Sequence, residues 1–149
     1  MSLLEPAELE QGKTKWKVLG VVVLAAAVAV VLYFTFRYYP EKRAVDRFFV
    51  ALTAGDTARA YQIWQPGPTY KMEDFLSDWG PNGFYGPVKS FRIVSAESPK
   101  NGGSGVIVAV EISPFAPMPT ESDIEKSRRT RQVKLWVETS NKSLSFPPL

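Results

Sequence analysis

The sequence of 149 residues contains no cysteine and no histidine. Without cysteine the chain has no disulfide and no thiolate nucleophile, although this absence is compatible with either redox compartment. Without histidine it lacks the commonest general base and the usual haem ligand, and the two absences together remove most zinc sites. We therefore predict no metal, no cofactor and no enzymatic activity.

A strong charge of one sign is also missing. The 18 basic and 15 acidic residues give a net charge of +3 at pH 7. The basic residues are scattered along the chain and do not form the stripe that nucleic-acid binding requires. The sequence therefore predicts no nucleic-acid partner.

One long segment has no charged residue at all, and it extends from Val18 to Phe36. As a helix, with a rise of about 1.5 Å per residue, it would be roughly 28 Å long, close to the hydrocarbon thickness of a bilayer. Its many valines would favour a strand in water, but in lipid a helix satisfies every backbone polar group within the segment. We predict a transmembrane helix over residues 18–39 and hence the lipid bilayer as a partner.

The flanks of this segment carry aromatic and basic side chains, which favour the two membrane interfaces. The predicted interface residues are Lys15, Trp16, Lys17, Tyr33, Arg37, Tyr38 and Tyr39. A cleaved secretory signal is the alternative, with Ala25, Ala27 and Ala29 as small residues near a cleavage site. The apolar run continues beyond them, whereas the apolar core of a signal extends to only about 7–15 residues. An uncleaved anchor is the favoured interpretation.

Residues 1–17 are expected to form an N-terminal tail, disordered in its first part as most short termini are. The basic residues on the two sides of the span balance each other and leave the orientation open: Lys13, Lys15 and Lys17 before it, and Arg37, Lys42 and Arg43 after it. A short tail followed by a long domain favours a cytoplasmic N-terminus and an extracytoplasmic domain, residues 40–149.

Helical spacing follows the span. Residues 41–54 place Val45, Phe48, Phe49 and Leu52 on one face. Gly55 is expected to end this helix and Asp56 to cap a second one, from Thr57 to about Gln65. A third helix is predicted from Tyr70 to Trp79, with Thr69 as its cap.

The second half of the chain changes to strand periodicity. Strands are predicted at residues 88–98, 106–112 and 131–139, with a short last strand at 143–146. Turn residues between Lys100 and Ser104 predict a hairpin of the first two strands, and residues 114–130 form a long loop. The fold class is α+β, with about three helices packed on a curved antiparallel sheet of three to four strands.

Residues 44–61 read AVDRFFVALTAGDTARAY. They resemble the opening helix pair of the nuclear transport factor 2-like superfamily, whose cone-shaped domains commonly begin FF-x-AL-x-x-GD-x-x-x-AY. The resemblance extends in element order over residues 41–149 and implies a cone of helices and sheet, although the small number of strands would leave it open. Enzymes of this superfamily, such as ketosteroid isomerase, use Asp, His and Tyr inside the cone. A weaker likeness is to membrane-anchored assembly factors of cytochrome oxidase.

Candidate acid–base residues lie on the third predicted helix. Asp74 and Asp78 are four residues apart, with Glu73 beside them, and two close carboxyls can share a proton in acid–base chemistry. The favoured alternative is a solvated helix face. Tyr61, Tyr70 and Tyr85 offer phenols, for which packing is the commoner role.

Two features of the second half predict an interaction surface. Basic residues cluster around the start of the third strand, and they are Lys126, Arg128, Arg129, Arg131 and Lys134. They form either a solvated charge run or a docking site for an acidic partner or anionic headgroups.

Trp136 is expected on the strand face opposite Val133, Leu135 and Val137. Further aromatic and apolar residues are predicted in loops: Trp79, Phe84, Tyr85, Phe115 and Met118. Such exposed apolar area marks an interaction surface, unless it forms a second core layer.

These observations predict a single-pass membrane-anchored binding or scaffold module. Its partners would be other membrane protein subunits, and it would act as an accessory subunit or assembly factor of a larger membrane complex, with an energy-transducing complex as one candidate. The alternative is a membrane-tethered enzyme or small-ligand binder that uses the cavity of the cone. The lining of that cavity distinguishes the scaffold hypothesis from the ligand-binding one, because convergent polar groups favour a ligand site and an apolar, filled interior favours a scaffold.

Overall fold

The computed structural model describes residues 5–64, 67–117 and 129–148. The chain forms two compact units that divide between Arg37 and Tyr38. The first contains one long helix, and the second, over its described residues, combines three helices with a four-stranded antiparallel sheet. The predicted α+β class is confirmed.

Helix α1 comprises Glu5–Phe36. Its start shows that the prediction of a disordered tail is wrong from residue 5 onward. Extending an existing helix avoids the cost of nucleation, and residues 5–11 are rich in Glu, Ala, Leu and Gln, which favour helices. The proline at position 6 lies in the first turn, where its missing N–H costs nothing.

The central part of α1 is apolar on every side and is not buried by other parts of the structure. Val21 and Leu24, for example, are 67% and 66% exposed. Among the described residues, one helix region near the N-terminus is long and apolar enough to span a membrane, and it contains this segment.

The helices of the second unit are α2 (Tyr39–Thr53), α3 (Thr57–Trp64) and α4 (Met72–Trp79). The predicted stop and cap between α2 and α3 are confirmed. Gly55 has φ +78°, which is the left-handed conformation that glycine tolerates, and Asp56 Oδ1 accepts the Arg59 N–H at 3.1 Å.

Helix α4 begins at Met72, so the predicted start at Tyr70 with Thr69 as cap is wrong. Lys71 occupies the cap position, and its N–H donates to Asp74 Oδ2 at 2.9 Å. A carboxylate three residues after the cap closes back on the cap N–H, which fixes the first turn at this point.

The strands are β1 (Ser90–Glu97), β2 (Gly105–Ser113), β3 (Arg131–Glu138) and β4 (Leu144–Ser145). They pair in chain order, and each neighbouring pair is antiparallel, so the predicted β1–β2 hairpin is confirmed. Pairing shifts between Ile93 and Ser95, and this bulge leaves Val94 without a cross-strand partner.

The core lies between α2 and the sheet face that carries Val108, Val110, Leu135 and Val137. The predicted inward face of α2 is confirmed, because Val45, Phe48, Phe49 and Leu52 are buried.

Trp79 also belongs to this core, where it is only 2% exposed, so its prediction as an exposed loop aromatic is wrong. It lies four residues after Phe75 on the same face of α4, and its ring is 5.2 Å from that of Phe48. Aromatic rings therefore occupy much of the space between helices and sheet.

Candidate docking site

A surface cleft of about 380 Å³ lies where the end of β2 and the start of β3 approach the segment after α4. Residues 85–87 line one part of it, residues 112–114 another, and Arg129 and Arg131 complete it. We call it the arginine cleft. Two of the five residues in the predicted basic cluster are brought together here.

Arg131 is positioned by Phe84. Its Nη1 donates to the Phe84 carbonyl oxygen at 3.0 Å, and its guanidinium lies 5.7 Å from the centroid of the Phe84 ring. In the sheet register Arg131 is opposite Ile112, at the end of the row of residues that face the core. The core ends at this point, so the cation reaches solvent at the cleft.

Arg129 is positioned by Phe115 in the same manner, with 5.7 Å between its guanidinium and the ring centroid. The backbone of Phe115 is itself held at both polar groups. Its carbonyl accepts the Ser90 hydroxyl at 2.7 Å, and its N–H donates to Ser113 Oγ at 3.2 Å. Both guanidinium groups therefore lie against rings whose backbones are fixed by hydrogen bonds, an arrangement that limits their freedom.

Phe84 is exposed beside the cleft, with 67% of its surface accessible. Its ring contacts Tyr85 edge-on at 4.8 Å. The backbone beneath is anchored to α4, because the Phe84 and Tyr85 N–H groups donate to the carbonyls of Ser77 and Asp78 at 2.9 and 2.8 Å. Phe84 is thus a large apolar group on a fixed backbone next to the Arg131 cation.

The arginine cleft is basic in its described lining. None of the described residues that line it is acidic. Elsewhere in the second unit, Arg92 pairs with Glu111 at 2.6 Å and Lys142 with Glu41 at 2.9 Å.

The remaining predicted interaction residues lie elsewhere. Lys134 is exposed and opposite Ala109, on the outer face of the sheet, whereas Arg131 is on the core-facing row. Trp136 is on the outer face as predicted, five residues from Arg131, which corresponds to about 17 Å along a strand. Arg128, together with Lys126 and Met118, lies outside the described residues.

Trp136 is half-buried and packs within its own domain. A Cβ added to Gly105 would overlap the Trp136 indole, so the absence of a side chain at Gly105 gives the ring its place. Its indole N–H points to Glu138 Oε2 at 3.5 Å. Trp136 therefore covers the start of β2.

The carboxylates of α4 take part in separate local contacts. Asp74 caps the helix, whereas Asp78 Oδ2 accepts the Tyr70 hydroxyl at 2.7 Å. Burial, and then the hydrogen bond to Asp78, raise the pKa of the Tyr70 phenol above its usual value. Tyr70 is therefore a protonated donor at neutral pH. The Tyr61 hydroxyl donates to the Tyr70 carbonyl oxygen at 3.1 Å, another packing contact.

The predicted membrane-interface residues fall in both units. In the first unit Lys15, Trp16 and Lys17 are exposed, and Arg37 lies 5.7 Å from the centroid of the exposed Tyr33 ring. In the second unit Tyr39 is 48% exposed, and its hydroxyl accepts Arg43 Nη1 at 3.1 Å. Tyr38 is partly buried against the core, with its hydroxyl 2.7 Å from Ser98 Oγ.

One charged pair was not foreseen from the sequence. Glu41, near the start of α2, is buried, and its Oε1 accepts Lys142 Nζ at 2.9 Å across 101 residues of chain. Lys142 also donates to the Thr139 carbonyl at 2.6 Å and occupies a turn with φ 58°. The pair ties the first helix of the domain to its last turn, and its role is structural.

No group of three or more potential metal-ligating side chains occurs among the residues that the structure describes. In comparisons with known proteins, no family model, no curated sequence and no solved structure matches the chain.

Proposed function

We propose that this chain is a single-pass membrane protein whose second unit docks onto another protein, as an accessory subunit or assembly factor of a larger membrane complex. The arginine cleft carries this proposal. It joins two positioned guanidinium groups to an exposed aromatic ring, and Arg and aromatic residues are enriched where protein interfaces derive their binding energy.

The membrane anchor is supported by α1. Its uncharged segment is exposed all round, which suits contact with lipid chains on every side. Trp16, Tyr33 and the neighbouring cations stand where interfacial residues are favoured. In the proposed topology the N-terminus is cytoplasmic and the second unit is extracytoplasmic.

The filled core favours docking over a ligand cavity. The inner sheet face consists of valine, isoleucine and leucine, and the helices add Phe48, Phe49, Phe75 and Trp79. Among the described residues, this apolar, packed interior lacks the convergent polar groups by which ligand sites orient small molecules. We also propose that the second unit is related to the nuclear transport factor 2-like superfamily. The helix pair at residues 44–61 and the order of the elements support this relation.

The docking function is tested by purifying the tagged full chain from its native membranes in mild detergent and identifying co-purifying proteins. Charge reversal of the cleft, Arg129→Glu with Arg131→Glu, should release specific partners. A matched control reverses two exposed lysines outside the cleft, Lys100→Glu with Lys134→Glu, and should retain them. Partners that remain with the cleft variant, or that leave equally in both variants, would contradict the proposal.

The topology is tested with single cysteines, since the natural chain has none. A membrane-impermeant maleimide should label Ser140→Cys in intact cells and Ser2→Cys only after permeabilisation. The reverse labelling pattern would place the domain in the cytoplasm. Labelling of neither position in intact cells would also argue against the proposed orientation.

A further inference from the structure

A second surface cleft, of about 460 Å³, is lined by residues of α2, of α3 and of the turn that follows β3. We call it the helix-pair cleft. Arg47 of α2 and Arg59 of α3 both line it, so each of the two helices brings a guanidinium group to one space. Ala44 and Ile63 contribute apolar lining beside them.

The two guanidinium groups of this cleft keep nearly all of their donors. Both residues are exposed. Within the described part of the chain, the Arg59 guanidinium makes no hydrogen bond or ion pair, and Arg47 makes one long hydrogen bond, from Nε to the Arg43 carbonyl oxygen at 3.4 Å. A guanidinium presents five N–H donors in a planar fork. The remaining donors are therefore available to a ligand.

The acidic residues nearest in sequence do not pair with these two arginines. Asp46 precedes Arg47, and Asp56 lies three residues before Arg59, where its Oδ1 accepts the Arg59 backbone N–H at 3.1 Å. Among the described residues, neither carboxylate forms an ion pair, and neither lines the cleft. Both guanidinium groups are thus open to an ionic partner.

The turn after β3 and helix α3 add further donors. Lys142 Nζ donates to Glu41 Oε1 at 2.9 Å and to the Thr139 carbonyl oxygen at 2.6 Å, which leaves one of its three N–H groups. Its charge is matched by that of Glu41, so the ammonium supplies a positioned donor and no further net charge. Gln62 of α3 contributes a side-chain amide. Donors therefore reach the cleft from three elements of the fold.

Donors from three elements suit an anion with three oxygens. A carboxylate has two oxygens in one plane, and the fork of a single guanidinium can occupy both. A terminal phosphate group has three acceptor oxygens and a charge of about −1.5 to −2 at pH 7. Two guanidinium groups and a further donor can bind such a group together, with a separate oxygen for each.

We propose that the helix-pair cleft binds a terminal phosphate group, which pairs with Arg47 and Arg59 and accepts further hydrogen bonds from Gln62 and Lys142. A phospholipid headgroup and a soluble phosphate ester both supply this group. The proposal is independent of the docking function, because the helix-pair cleft shares no described lining residue with the arginine cleft.

The test uses the isotope-labelled full chain in nanodiscs and follows side-chain N–H signals by NMR. Nanodiscs of phosphatidylcholine alone are compared with nanodiscs that also contain phosphatidic acid, and glycerol 3-phosphate is titrated into both. Glutarate serves as the carboxylate probe. Arg47→Gln with Arg59→Gln removes the two cleft cations, and the control, Arg43→Gln with Lys134→Gln, removes the same charge from exposed residues outside the cleft.

A phosphate probe should shift the Arg47 and Arg59 Nε–H signals together. If the lipid is the source, phosphatidic acid shifts them and added glycerol 3-phosphate changes little. If the soluble ester is the source, both kinds of nanodisc give the same initial signals, which the titration then moves. Read from the Gln62 amide signals, affinity for the phosphate probe should fall by about tenfold or more in the cleft variant and by less than about twofold in the control.

Three results would overturn the proposal. The first is the absence of any shift with both phosphate probes. The second is equal weakening in the cleft variant and its control, which would reveal general charge attraction. The third is glutarate binding as tight as that of glycerol 3-phosphate, which would assign the cleft to carboxylates such as those of an acidic protein segment. The docking function is judged separately, by partner release from the Arg129→Glu, Arg131→Glu variant.

Discussion

Replacement of Phe48 by alanine tests the packing on which the domain depends. Phe48 is fully buried, and its ring lies 5.1–6.1 Å from the rings of four neighbours: Phe49, Trp64, Phe75 and Trp79. A buried Phe→Ala change costs about 3–5 kcal/mol, and aromatic pairs add about 0.5–1.5 kcal/mol each beyond area burial. We therefore expect a loss of about 4–5 kcal/mol, a large part of the roughly 5–15 kcal/mol that stabilises a domain.

The measurement is urea unfolding of residues 38–149, which form a compact unit and should fold without α1. Tryptophan fluorescence reports directly, since Trp64 and Trp79 contact Phe48. The control is Val50→Ala on the outer face of α2, where Val50 is 52% exposed, and its cost should be below about 0.5 kcal/mol. A loss below about 1 kcal/mol for Phe48→Ala would refute the packing, and an unfolded wild-type fragment would refute the domain boundary.

Three further predictions concern contacts outside the arginine cleft. Lys142→Met leaves the buried Glu41 carboxylate without its ammonium partner and should lower the free energy of unfolding, measured by chemical denaturation, by about 2–3 kcal/mol. Adding Glu41→Gln should recover most of this loss, and no recovery would mean that the two residues are not coupled. Trp136→Ala should lower the free energy of unfolding by about 1–2 kcal/mol, because the ring is half-buried, and should leave partner binding unchanged. Loss of a partner in this variant would show that Trp136 belongs to the docking surface. Because folding raises the pKa of Tyr70, the free energy of unfolding should fall as the pH rises above about 10, where the phenol of the unfolded chain ionises. Tyr70→Phe should reduce this fall, and an unchanged pH profile in the variant would contradict the hydrogen bond to Asp78.

The parts of the fold that could be predicted are those with a local signal. The inward face of α2 follows from helical spacing, and the hairpin of β1 and β2 from alternation with turn residues between them. Trp79 was misplaced because a residue at the end of a helix was assigned to the following loop. Helix spacing from Phe75 would have placed it in the core.

The sequence indicated the basic residues of the candidate site, but not which of them lie on the same side of the sheet. Arg131 and Lys134 differ by an odd number of residues, so strand alternation sends them to opposite sides of the sheet. The sequence alone could have separated them. In contrast, nothing local indicates that the Phe84 carbonyl would meet Arg131, 47 residues away, or that Glu41 would meet Lys142.

Photo-crosslinking tests most directly the central claim, that the arginine cleft contacts a partner that is itself a membrane protein. Benzoylphenylalanine in place of Phe84 should yield a specific crosslinked protein in native membranes. The crosslink should disappear when Arg129→Glu and Arg131→Glu are added. The same reagent in place of Val94, which is 48% exposed on β1, serves as the control. An absent crosslink at position 84, or an equal one at position 94, would contradict the account.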